Sequence, residues 1–242
     1  EVEQVARGNR RVELAKEAIE NVKASRLQVE EMIAQGRVVY GVTTGIGKFC
    51  DQVISADMTA KLQCNIIRSH ATGVGDPLRE DQVRAAMLLR ANSLARGYSG
   101  IQLDTLETLL DLINKGVHPV IPAKGSLGAS GDLAPLSHMV LAIMGEGEVF
   151  YKGERLEAAD ALNQAGITPV ILGAKEGLAL INGTQIMSAI GTLLVLDGER
   201  LTNICDVVSA LSMEALRGIP DAFSPEIHRL RPHPGQMLVA SN

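Results

Sequence analysis

The chain is 242 residues long, with 23 Lys and Arg against 28 Asp and Glu for a formal net charge of −5, and it is 46% hydrophobic but only 2% aromatic. This composition argues against disorder and for a sizeable core built from Leu, Ile, Val, Ala and Met. It also argues against nucleic-acid binding, because the acidic balance gives no dense cationic face and the three Tyr and three Phe make no base-stacking platform. At the start of the chain, Val12, Ala15, Ile19 and Val22 recur at helical spacing, and Ser25-Arg-Leu-Gln28 reads as a capping box. Two short opening helices are expected, the second stopping at Gly36. Val38-Val39-Tyr40 then leads into GVTTGIGKF, a glycine-rich loop.

Periodicity predicts four further helices, over about 57–69, 79–95, 103–114 with Gly116 as its stop, and 133–144. Between the last two runs a Pro- and Gly-rich loop, GVHPVIPAKGSLGASGD. GEVFYKGERL at 147–156 reads as a small surface hairpin turning at Lys152-Gly153. The longest helical pattern covers 184–217, Gly218-Ile-Pro220 stops it, and the proline-punctuated remainder is expected to be irregular. The twenty residues Gly177 to Leu196 carry no charge and raise the membrane question, but Asn182, Gly183, Thr184, Gln185 and Ser188 interrupt them, so a buried helix is expected and no membrane. A mainly α fold follows.

Several motifs fail on inspection. Cys50, Cys64 and Cys205 match neither a metal knuckle nor a dense disulfide framework and read as reduced thiols; with no basic-then-apolar leader in EVEQVARGNRR, a cytoplasmic location is expected. GVTTGIGKF is no phosphate loop, since Val42 stands where glycine is needed and Phe49 follows Lys48. GSLGASGD is no hydrolase elbow, because Asp132 occupies the position of its second glycine. His228 and His233 lack zinc spacing, so no metal is expected. Lys124 and Lys175 have no phosphate cradle beside them, which leaves pyridoxal phosphate a remote idea. What remains is Ala129-Ser130-Gly131. Attack of the Gly131 amide on the Ala129 carbonyl, with loss of water from the ring and from Ser130, would leave a methylidene imidazolone, an electrophile made from the chain alone. Taken by itself the tripeptide is an ordinary turn.

Its context is more specific. GSLGASGDLAPLSHM at 125–139 closely resembles the cofactor segment of the histidine and aromatic amino acid ammonia-lyases. YGVTTGIGKF at 40–49, NIIRSHATGVGDPL at 65–78 and KEGLALINGTQ at 175–185 resemble, in order, that family's tyrosine loop, selectivity segment and asparagine segment. The resemblance implies the mainly α, fumarase/aspartase-like ammonia-lyase fold, with a cofactor-bearing domain at 1–183 and the beginning of the central helical bundle at 184–242.

The pair Ser69-His70 is similar to the histidine branch, which implies non-oxidative deamination of L-histidine to trans-urocanate through 4-methylidene-imidazole-5-one formed from Ala129-Ser130-Gly131. The resemblance makes Tyr40 the base for the β-proton, assigns His70 with Ser69 to the substrate imidazole, and places Asn182 at its amino-acid end, in a homotetramer. A phenol at its reference pKa of ~10 would need its surroundings to lower it for this work. Asn182, in an apolar stretch, is expected to have a polar neighbour. The helix beginning at Leu133 is expected to aim its N-terminal amides at the tripeptide, a field that would stabilise an anionic adduct. The family's later second tyrosine, carboxylate-binding arginine and glutamate have no match here, so the chain is expected to be an amino-terminal portion, inactive alone. A tyrosine or phenylalanine ammonia-lyase or aminomutase is the alternative enzyme, and a catalytically dead helical scaffold the alternative of another class.

Overall fold

The structure, a computed structural model, describes residues 1–242 except 46, 48–53 and 55, and two compact units divide it, Glu1–Gly191 and Thr192–Asn242. Lys48, Phe49 and Cys50 therefore lie outside the described residues.

The first unit opens with α1 (Val2–Ala6) and α2 (Lys16–Ala34). Ser25 lies inside α2, and its hydroxyl accepts the Gly100 N–H at 3.0 Å, so the expected capping box is instead a long-range tie and the two expected opening helices are one. There follow α3 (Ala56–His70), β1 (Val74–Pro77), α4 (Glu80–Ala95) and α5 (Leu103–Lys115), the last stopped by Gly116 at φ +71. After β2 (Val117–Pro119) and β3 (Pro122–Lys124) comes α6 (Leu133–Ile143). Ile67 of α3, Met87 and Leu94 of α4, Leu106, Leu109 and Leu112 of α5, and Leu136, Met139 and Ile143 of α6 are fully buried. At roughly 1.5–3 kcal/mol for each large apolar side chain removed from water, this helical core dominates the unit's stability.

The predicted hairpin is present as β4 (Glu148–Tyr151) and β5 (Glu154–Glu157), turning through Lys152 and Gly153, both at positive φ. It is not a free ribbon. β2 adds to it in the antiparallel order β2-β4-β5, and Val149 and Tyr151 are buried. A second ladder pairs β1 with β3, Val74 opposite Lys124. β2 carries His118, whose Nε2 accepts from Arg84 Nη1 at 2.9 Å while Nδ1 lies 3.5 Å from Glu80 Oε1. Burial pushes this imidazole down to about 4, Glu80 pulling against it and Arg84 adding to it.

α7 (Ala158–Ala165) and α8 (Glu176–Ile181) follow, and α9 (Gln185–Ala215) begins in the first unit and continues in the second. Residues 176–215 are long and apolar enough to cross a membrane by length and composition. Within the first unit, however, Ala179, Leu180, Ile181, Ile186 and Ala189 are buried by protein. In the second unit the expected irregular tail is a 3₁₀ turn (Pro220–Phe223) followed by α10 (Pro225–Arg229) and α11 (Pro234–Ser241). Each opens on a proline, whose fixed φ and missing N–H suit a first helical position.

Candidate active site

The tripeptide lies where α6 begins. Ala129 and Ser130 are exposed, Gly131 is buried, and Asp132 is the residue from which α6 starts. Gly131 adopts φ +149, and a methyl group there would lie 2.8 Å from the Gly183 nitrogen, 2.9 Å from its carbonyl oxygen and 3.2 Å from Asn182 Oδ1. Only glycine fits, so the backbone of the tripeptide's last residue is pressed directly on Asn182-Gly183. The Asp132 N–H donates to the Gly183 carbonyl at 2.7 Å, closing this junction.

The Asp132 carboxylate does not cap its own helix. Its Oδ1 accepts the Ser126 hydroxyl at 2.7 Å and its Oδ2 the Met187 N–H at 3.0 Å, one of the otherwise unpaired amides in the first turn of α9. One buried acid thus joins the loop before the tripeptide, α6 and α9. The carboxyl group of Asp132 thus sits at the same helix start that faces the tripeptide.

Asn182 is exposed rather than sunk in apolar surroundings, so the expected demand for a buried polar partner does not arise; what is fixed is its backbone. α8, which Asn182 follows as its C-terminal cap, is held at both ends. At its start the fully buried Glu176 accepts the N–H groups of Gln102 at 3.0 Å and Gly173 at 2.6 Å, and Gln63 of α3 accepts the Gly177 N–H at 2.8 Å. At its end Arg90, reaching from α4, donates to the carbonyls of Ala179 and Asn182 and to Gln185 Oε1. Burial pulls the Arg90 guanidinium down to about 10, which leaves it charged at neutral pH. A methyl group on Gly183 would meet Arg90 Nη1 and Gln185 Oε1 at 2.2 Å each, so these two side-chain ends close directly on this glycine.

His70 ends α3. Its Nδ1 lies 2.8 Å from the Ile66 carbonyl, which also accepts the Ser69 hydroxyl at 3.0 Å. A carbonyl can only accept, so Nδ1 carries a proton, and in the neutral form of the half-exposed ring Nε2 is an acceptor. Such a nitrogen can receive an N–H from an azole.

Tyr40 occupies different surroundings. It is 55% exposed, and its hydroxyl accepts the Gly47 N–H at 3.3 Å. Its turn is shaped by Thr43 Oγ1, which takes the Val39 N–H, and Thr44 Oγ1, which takes the Gly41 N–H. Val42 is buried with Val29 and Ala174, and Gly41 abuts Leu178 of α8. The structure thus brings Gly131, Asp132, Asn182 and Gly183 into direct contact, links His70 to them through the packing of α3 on α6 and α8, and leaves Tyr40 on the loop beside α8. Lys175 donates from Nζ to the Ser99 carbonyl and Lys124 belongs to β3. Among the described residues no group of three His, Cys, Asp or Glu is placed to hold a metal ion.

Motif reading missed Arg90 and the links of Asp132, which tie the tripeptide's surroundings together. Arg90 did leave a signal: it interrupts the largely apolar run AAMLLRANSLA at 85–95, and a charge inside such a run must find acceptors.

The whole chain, residues 1–242, matches the family described as aromatic amino acid lyase. It belongs to that family. The histidine ammonia-lyase of Alkaliphilus metalliredigens is 57% identical to it over 238 residues, 98% of this chain and 47% of that protein. Among solved structures, the Pantoea agglomerans phenylalanine aminomutase superposes with a TM-score of 0.92 at 41% identity, covering 99% of this chain and 46% of the other. Histidine ammonia-lyase from Trypanosoma cruzi gives 0.91 at 38%, covering 99% and 47%. This aromatic amino acid lyase chain spans about half the length of the relatives it matches, and its mainly α fold is the ammonia-lyase fold expected from the sequence.

Proposed function

We propose that this chain is the cofactor-bearing portion of a histidine ammonia-lyase, which eliminates ammonia from L-histidine to give trans-urocanate. The junction of Gly131 with Asn182-Gly183, closed by Asp132 and braced by Arg90, carries the reading: it is the arrangement that a tripeptide requiring compression would need. The group formed from Ala129-Ser130-Gly131, 4-methylidene-imidazole-5-one, would supply an electrophile that activates the substrate without metal or pyridoxal phosphate. Glycine at 131 fits that group, since its nitrogen must close on the Ala129 carbonyl carbon and no side chain crowds that approach.

The chain's own residues take the remaining roles. His70, with the lone pair on Nε2, accepts the N–H of the substrate imidazole, and Ser69 steadies the carbonyl that fixes the tautomer. Asn182 presents its amide beside the tripeptide to the amino-acid end of the substrate. Tyr40 removes the β-proton, in surroundings completed by residues outside this chain. The exposed Leu201, Ile204, Val208 and Leu211 of α9 support assembly into a homotetramer, and the free Cys64 and Cys205 suit a cytoplasmic location.

The test is the catalytically competent protein offered L-histidine, L-tyrosine and L-phenylalanine, with and without Ser130→Ala. Urocanate from histidine, absent in the folded variant, with the parent lighter than its sequence by two waters, is the expected result. Turnover of tyrosine or phenylalanine alone, or release of a β-amino acid as from the aminomutase relatives, would redirect the reading; full activity in Ser130→Ala would end it.

A further inference from the structure

We propose that His138 is a positioning residue that fixes the imidazole-recognition segment to the helix carrying the tripeptide. The proposal rests on the assignment of His70 to the substrate imidazole. His138 lies on α6, one and a half turns from its start, and its Nε2 accepts the N–H of Gly73 at 3.0 Å. Gly73 is wedged: a methyl group there would lie 3.1 Å from His138 Nε2 and 3.2 Å from the Pro122 Cβ, and one on Gly125 would lie 3.0 Å from the Gly73 Cα. Helix α6, strand β3 and the loop entering the tripeptide therefore close around one glycine, from which β1 departs to pair with β3.

Gly73 is three residues beyond His70, and the intervening turn is tight, with the Thr72 N–H on the His70 carbonyl at 2.8 Å. A shift of Gly73 has no slack in which to dissipate before it reaches His70. Accepting the Gly73 N–H requires a neutral ring with its proton on Nδ1; partial burial lowers the pKa of His138 and favours that state. The ring is thus an acceptor supplied by the tripeptide's helix to the recognition segment. Its effect falls on how the substrate is held, and the tripeptide keeps its own ties to Asn182 and Gly183.

The experiment compares His138→Leu, which keeps bulk without an acceptor, with His138→Gln, whose Oε1 restores one, in the catalytically competent enzyme. The Leu variant is expected to raise KM for L-histidine about tenfold with kcat within about threefold, and the Gln variant to recover most of the loss. The two-water mass deficit should be unchanged in both. Hydrogen exchange at the Gly73 amide should be faster in the Leu variant and near the parent's rate in the Gln variant. Unchanged KM in the Leu variant, equal loss in kcat, or a Gln variant no better than Leu would overturn the proposal. If His138→Leu does not fold, Gln decides it, because a folded Gln variant with both Gly73 protection and KM far from the parent's refutes the acceptor role. A parent that ignores L-histidine would fail the functional reading instead, a result separable from the Gly73 exchange rates.

Discussion

The two parts of the candidate site are built in opposite ways. Around Gly131 the backbone is closely confined: Gly183 blocks any side chain, Asp132 bonds in three directions and Arg90 donates to three acceptors. Around Tyr40 the phenol is exposed and, among the described residues, accepts the Gly47 N–H at 3.3 Å, while threonine hydroxyls shape a local turn. The first region is set by packing within the chain. In the second, local hydrogen bonds set the shape of the turn. A region that must strain a backbone has to be over-determined, whereas an exposed loop need not be.

The contrast can be broken at its rigid end. Gly131→Ala places a methyl group into the Gly183 backbone at a φ that L-residues avoid, and is expected to cost about 2–5 kcal/mol and to abolish the two-water mass deficit. Denaturant unfolding and intact mass check both. Arg90→Met leaves the Ala179 and Asn182 carbonyls and the Gln185 amide without their donor and is expected to cost about 2–4 kcal/mol in the same assay, partly offset because an ion no longer has to be desolvated.

A remote buried group sharpens the comparison, because it tests the scaffold under neither region. The folded His118 value of about 4 lies below the unfolded value near 6.5, so its stabilising effect is whole above pH 6.5 and is lost as pH falls towards 4. The loss is at most about 3 kcal/mol, and His118→Gln should flatten that part of the stability-against-pH curve. The smallest effect is expected at the exposed end: Tyr40→Phe should leave stability within about 0.5 kcal/mol while removing turnover in competent enzyme. A large destabilisation there would mean that the two regions are not distinct.

Much of this was legible beforehand, for identifiable reasons. Helices α3 to α6 followed from apolar spacing and, for α5, from Gly116, because local periodicity and a left-handed stop are written in consecutive residues. Ser25 misled because its partner, Gly100, is 75 positions away and a capping box is judged only on its own four residues. β1 and β3 were invisible, since VGDP and PAK have no strand character and are held by each other. At the site the tripeptide could be named from its motif, but the bonds from Asp132 to Ser126 and Met187 and from Arg90 to α8 exist only once the helices have packed.

The union of Gly131 with Gly183 also carries a timing. During synthesis the tripeptide leaves the ribosome first, and Asn182-Gly183 is added about fifty residues later, several seconds at ordinary elongation rates. For that interval nothing presses on Ser130. A nascent chain halted before α8 should therefore carry an ordinary serine, and the proposed cyclisation would begin only when the later segment arrives.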